Sequence, residues 1–427
     1  MSTATPTISG SAVEDLASLH SEPEWLRARR REAWEIFEGL PMPSRTDEEW
    51  RRTDIRGLDL GQFEPFEQAA GAPHADPIAD TAGVLRQRGS EPGRVELDPG
   101  LAEKGVLFLP LSQAAREYPD LVKPRLFTEV RADRDRLTAL HAALFSGGTF
   151  LYVPDGVVVE QPLVSQFWSA TGGAAVLPHT LIVAGEGSQF NYVDEFLSPD
   201  LDRSAYASGS AEVFAGQGSQ VGYIALQRWG RHAWQFADQR ARAERDATVR
   251  LINVGLGAHF AKNRVEAHLV GPGASAELKA LYFGTTDQFF DYHTLQSHAV
   301  GQTTSDLLFK GALTDHARAV YAGLIRIEPG ARGSDAYQAN RNLLLSKDAK
   351  AHSMPMLEIE NNDVRCTHGA TIAPVDPEHL FYLESRGVPP QTAQRMIVHG
   401  FFGEVLDTIP VAQARELVER ELEARIG

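Results

Sequence analysis

Cys366 and His368 stand two residues apart in the segment NNDVRCTHGATIAP, residues 361–374, and Cys366 is the one cysteine of the 427-residue chain. On an extended strand, residues i and i+2 share a face with Cα atoms about 6.5 to 7 Å apart, so a thiolate and an imidazole at this spacing reach one ion. Soft sulfur with imidazole suits zinc, copper or iron, including iron in a cluster. One thiol cannot complete such a site, so the remaining ligands have to come from water, from distant residues of the chain or from a second chain. Two other readings stand beside this one. A solitary cysteine is commonly a small buried hydrophobe, and a cysteine nucleophile activated by histidine is a second chemistry, although neighbours at i and i+2 seldom make the required hydrogen bond. Glu358, Glu360 and Asp363 lie just upstream. The alternation in MPMLEIE turns both glutamates to one side, where such carboxylates ordinarily face solvent.

The other chemistry-bearing residues exclude more than they suggest. The chain has no GxxxxGK[ST] phosphate loop, no complete GxGxxG, no HExxH and no GxSxG elbow. The pairs Gly185/Gly187, Gly216/Gly218 and Gly255/Gly257 lack a third glycine and read as turn residues. Fourteen histidines are scattered, and pairs such as His293 with His298 or His259 with His268 read as ordinary strand histidines. With 41 Lys and Arg against 57 Asp and Glu, the formal charge of −16 repels phosphate backbones and anionic lipids, so neither nucleic acid nor membrane is an expected partner. The N-terminus MSTATPTISGSAVEDL lacks a basic n-region and an apolar h-region, and no run of about 18 apolar residues occurs. A cytoplasmic protein is expected. The lone cysteine excludes an internal disulfide framework, in keeping with a reducing compartment.

Three kinds of chain must position these residues. From Ser11 to Glu38, Val13, Leu16, Leu19, Trp25, Leu26, Trp34 and Phe37 recur at helical spacing, and Gly39, Pro41 and Pro43 end the run. DEEWRRTDIRGL follows at 47–58, and the Pro-, Gly- and Ala-rich stretch from Gly61 to Gly105 reads as irregular connection. LFLP at 107–110 and a helical segment with Leu137, Leu140 and Leu144 complete a helical and mixed α/β region over 1–149. From Phe150 onward, short runs of Val, Ile, Phe and Tyr recur between turn clusters at Gly187, Gly218, Asp246, Gly273, Gly301 and Gly330, spaced by about 27 to 31 residues. That quasi-period predicts stacked coils, a parallel β-helix over 150–372, with a β-sandwich of evenly spaced hairpins as the alternative. Helical patterns return at 377–388, 391–406 and 410–426, giving a C-terminal helical domain over 373–427.

Residues 351–402, AHSMPMLEIENNDVRCTHGATIAPVDPEHLFYLESRGVPPQTAQRMIVHGFF, resemble the C-terminal region of the SufB/SufD superfamily, components of the SUF iron–sulfur cluster assembly system, and LPMPSRTDEEWRRTDIRGL at 40–58 is similar to its N-terminal pattern. A single cysteine in a Cys-x-His form, in place of additional cysteines and a glutamate, resembles the SufD branch. The resemblance implies a mainly β protein with a right-handed parallel β-helix core between helical domains. It also implies a non-enzymatic scaffold that pairs with SufB through the end of the β-helix and binds one SufC ATPase subunit, which carries the ATP. By the same resemblance His368, with Cys366 beside it, lies at that interface and contributes to a transient iron or cluster site completed by SufB, with no cofactor stably bound in the isolated chain. The helices around Leu380, Phe381, Phe401 and Phe402 are implied to dock SufC, although Phe381 equally suits a core. A homodimer is implied when SufB is absent. The rivals are a β-helix carbohydrate-active enzyme and a stand-alone metal-binding homodimer.

Overall fold

Long runs of β-branched and aromatic residues, interrupted about every ten positions by small or acidic turn residues, favour strands over helices. The computed structural model, which describes residues 8–67 and 78–426, folds them into a parallel β-solenoid built of two sheets. One sheet has ten strands and ends at Arg365–Pro374; the other has eleven and ends at Lys350–Ile359. In the ten-stranded sheet Gln220 pairs with Thr248, Thr248 with Ser275, Ser275 with Thr304, Thr304 with Asp335 and Asp335 with Arg365, so a coil takes 27 to 31 residues. The turns depend on left-handed backbone at Gly187, Gly218, Asp246, Gly273, Gln302 and Gly333. At two predicted turns the left-handed residue is therefore Gln302 or Gly333, not Gly301 or Gly330. Gly255 is no turn residue either, because it lies within a strand where an added Cβ would meet the Tyr292 hydroxyl at 2.5 Å.

Because both outer faces are covered, the middle strands are buried on both sides, and Leu163–Trp168 has no exposed residue. Helices Gly10–Leu19, Glu24–Gly39 and Arg136–Leu144 contribute to a core against the eleven-stranded sheet, where Leu16, Phe37 and Leu140 pack with Tyr206, Phe236 and Phe260. Asp135 starts the third helix with a capping box. Helices Pro390–Leu406 and Ala412–Ile426 fold back along the other sheet, where Phe402, Val405 and Leu417 pack on Ile252, Val254 and Leu308. Gly387, at φ +86°, and the prolines at 389 and 390 separate them from the helix Pro377–Ser385.

The stretch read as irregular connection contains a strand, Gly83–Arg88, that pairs in parallel with Leu163–Trp168. Flanking prolines and glycines mask its six residues; the part at 68–77 lies outside the described residues, as do 1–7 and 427. The motif at 47–58 closes the N-terminal region onto the sheet. Trp50 is buried with the Lys262 ammonium 4.6 Å from its ring centroid, Glu49 pairs with Arg264, and the Thr53 hydroxyl donates to Asp291 at 2.5 Å.

Inside the coils, alternate residues face one another across the two sheets. Asp194 is fully buried there and accepts hydrogen bonds from the hydroxyls of Tyr192 at 2.6 Å and Tyr223 at 2.8 Å. Burial raises its carboxyl to about 6, with the bonds from Tyr192, Thr180 and Tyr223 opposing the shift.

The two ends of the solenoid differ. At the first end the short strands Arg94–Leu97 and Leu107–Pro110 pair antiparallel with their neighbours, and Leu101, Val106 and Phe108 close the interior. At the other end, Lys350–Ile359 and Arg365–Pro374 each pair with only one strand and contain no buried residue.

Candidate functional site

The alternation of the last coil decides where the predicted donors point. Ala336 and Gln338 are interior residues, and Cys366 and His368 are their register partners, so both donors lie on the inner side of the final strand. The strand is an edge, and His368 is exposed there with no hydrogen bond or ion pair among the described residues. Cys366 is half-buried against Ile325, Ile327, Ala331 and Ala336. Partial burial, reinforced by the Asp335 carboxylate, holds its thiol above the ordinary value, so the neutral thiol persists at neutral pH.

Around the pair lies apolar surface that a soluble monomer ordinarily hides. Leu357, Ile359 and Ile372, on the inner side like the pair, are each 37% to 42% exposed, and Met356 and Tyr337 on the outer faces of the same coil are comparably exposed. Leu357 and Ile359 continue the inner row above Ile325 and Ile327, so they form an uncapped cross-section of the core. The edge also presents unpaired backbone groups, the feature that templates addition of another strand. Among the described residues no group of three or more His, Cys, Asp or Glu side chains is placed to hold a metal ion. What this chain presents is two donors on an open edge.

The other sequence candidates separate. His293 faces outward beside Asp291 at 3.1 Å, whereas His298 is interior, bonded to Thr303 at 2.7 Å and Ser305 at 2.8 Å. His259 and His268 approach different carboxylates, Asp287 and Glu129. Glu358 is engaged by Arg326 and Asp363 by Arg332. Of the four residues expected to dock a partner, Phe381 is 72% exposed on a helix with no buried residue, and Leu380 beside it is partly buried. Phe401 is partly covered by the Lys310 ammonium, 5.1 Å from its ring centroid. Phe402 is fully buried in the chain's own core and offers no docking surface; strict helical spacing put it in the same segment as Phe401 but not on the same face. Tyr382, next to Phe381 in the same helix, and Met396 in the following helix are exposed instead. Sequence reasoning passed over Gln338, the buried register partner of His368 one coil earlier, although the repeat period itself points to it.

A parallel solenoid with helices on both faces, one closed end and a donor pair on its open edge defines a protein built to present a surface. Residues 167–401 match the family model for the SufBD core domain of the SUF system of FeS cluster assembly, and residues 95–164 match the SufBD protein N-terminal region. The chain belongs to the SufBD family of iron–sulfur cluster assembly proteins. It is 30% identical over 426 residues to the iron–sulfur cluster assembly protein SufD of Bacillus subtilis, covering 97% of both chains. Iron–sulfur cluster assembly SufBD family proteins of Staphylococcus saprophyticus and Staphylococcus epidermidis are 27% and 26% identical over 439 residues, covering 97% of this chain and 93% of theirs. Among the described residues no helix is long and apolar enough to cross a membrane.

Proposed function

We propose that this chain is a scaffold subunit of a cytoplasmic iron–sulfur cluster assembly complex, pairing with a SufB partner through its open solenoid end and presenting His368 to iron or a nascent cluster there. The observation that carries this reading is the asymmetry of the ends: one is closed, and the other exposes both edge strands, the apolar row of Leu357 and Ile359, and the Cys366/His368 pair. Iron or a cluster is cargo at that interface, and the partner supplies the thiolates that this chain lacks. His368 contributes an imidazole nitrogen from the edge strand, while the surrounding apolar rim excludes water when the ends meet. The chain performs no bond-breaking step of its own.

The SufC ATPase docks on the C-terminal helices, with exposed Phe381 on Pro377–Ser385 as the anchor, Leu380 and Tyr382 beside it in the same helix, and Met396 and Phe401 contributed by the next helix. An aromatic that is exposed in the free chain and becomes buried on binding fits the known pattern of hot spots. ATP belongs to that partner.

The test is purification with SufB and SufC followed by anaerobic reconstitution of wild type and His368→Ala. The variant is expected to assemble the complex yet retain much less iron. Unchanged iron and cluster content would remove His368 from the site, and failure of the wild-type chains to associate would remove the scaffold reading.

A further inference from the structure

The open end has a floor of buried polar groups. Ser305 Oγ meets Gln296 Nε2 at 2.7 Å and His298 Nε2 at 2.8 Å, and Gln296 Nε2 also donates to the Tyr337 carbonyl at 3.0 Å. That last bond fixes the strand one residue before Gln338. Gln338 is fully buried, and its Nε2 donates to the Gly323 carbonyl at 3.2 Å. A Cβ on Gly323 would stand 2.4 Å from that nitrogen, so the carboxamide is packed directly against the glycine. Its other end has nothing to do: Gln338 Oε1 is buried without a hydrogen-bond partner.

A buried acceptor left unpaired costs on the order of 1–3 kcal/mol. In a native protein such a group points to a role outside the resting contacts. Gln338 and His368 are register partners on adjacent strands, both on the inner side. Strands lie about 4.8 Å apart; no bond joins the two side chains in the free chain, where the Gln338 carboxamide is turned to Gly323, so the contact forms only when the exposed imidazole folds inward. An imidazole that ligates a metal through one nitrogen characteristically donates through the other to a fixed acceptor, which sets tautomer and ring orientation.

We propose that Gln338 is the positioning residue for His368: its free Oε1 accepts the N–H of the ring nitrogen that does not bind iron, aiming the other nitrogen out of the open end. This rests on the reading of His368 as an iron-site residue. Gln338 does not touch the iron.

The experiment uses the assembled complex with SufB and SufC, loaded with ferrous iron alone, comparing wild type, Gln338→Met, Gln338→Glu and His368→Ala. Loss of an outer acceptor typically weakens a metal site 10- to 100-fold, so Gln338→Met is expected to bind iron at least tenfold more weakly. It should also change the nitrogen coupling seen by electron–nuclear double resonance on a cluster-loaded sample with 15N-labelled histidine. Gln338→Glu restores an acceptor and is expected to recover both. Wild-type iron affinity and nitrogen coupling in Gln338→Met overturn the proposal. If Gln338→Met does not fold, Gln338→Leu takes its place with the same two readouts, and wild-type iron affinity and nitrogen coupling there overturn the proposal. Unchanged iron binding in His368→Ala overturns the underlying site reading instead, so the two failures are told apart.

Discussion

Asp194 offers a quantitative check on the solenoid interior. Its carboxyl is raised from 3.8 to about 6 because burial penalises the anion more than the bonds from Tyr192, Thr180 and Tyr223 favour it. A shift of roughly two units at about 1.36 kcal/mol per unit amounts to about 3 kcal/mol. The folded pKa is the higher one, so the folded state holds the proton more tightly. The associated stability is fully present below the unfolded value of 3.8 and is lost as pH rises through about 6. Asp194→Asn abolishes this dependence. The stability of the variant minus that of wild type should therefore rise with pH, by roughly 2 kcal/mol between pH 4.5 and pH 7. Urea unfolding followed by tryptophan fluorescence at a series of pH values measures it, and any constant cost from the two tyrosines drops out of the difference. A flat difference would show that the tyrosine bonds cancel desolvation, and one that falls with rising pH that they outweigh it; either result would refute a raised carboxyl in the solenoid interior.

Other expectations follow from the surfaces. Ile359→Lys places a charge on the open end, where the side chain is already 41% exposed, so unfolding free energy should stay within about 0.5 kcal/mol of wild type while association with SufB is lost on size-exclusion chromatography; a stable complex would contradict the assignment of that end. Phe381→Ala is expected to leave the melting temperature unchanged and to cost SufC binding more than about 1 kcal/mol by calorimetry. Phe402→Ala, at a fully buried position, should instead cost about 3–5 kcal/mol of stability, and equal effects of the two substitutions would refute the division between docking face and core.

Much of this architecture was legible because the repeat period is enforced by chemistry that sequence displays. AGEGSQF and AGQGSQV carry Gly187 and Gly218 at the left-handed turn positions, and the following coils retain the spacing even where aspartate or glutamine takes the glycine's place. Cys366 and His368 were legible as a pair because strand alternation fixes their common face. Their isolation was not, since it depends on which sheet edge receives no further strand. Gly83–Arg88 was hidden because its parallel partner, Leu163–Trp168, lies far along the chain, and the flanking turn residues dominate the local pattern. The inner or outer fate of Phe401 and Phe402 rested on which helix face meets the ten-stranded sheet, a tertiary choice that spacing alone leaves open.

The closed first end also has a consequence for stoichiometry. A repeat that could stack at both ends would propagate into a fibre, each copy templating the next. Here the antiparallel strands Arg94–Leu97 and Leu107–Pro110 stop growth on one side, so end-to-end stacking terminates after a single joint. Two such solenoids joined end to end would therefore share a single seam, fixed by how the polymer is prevented from growing.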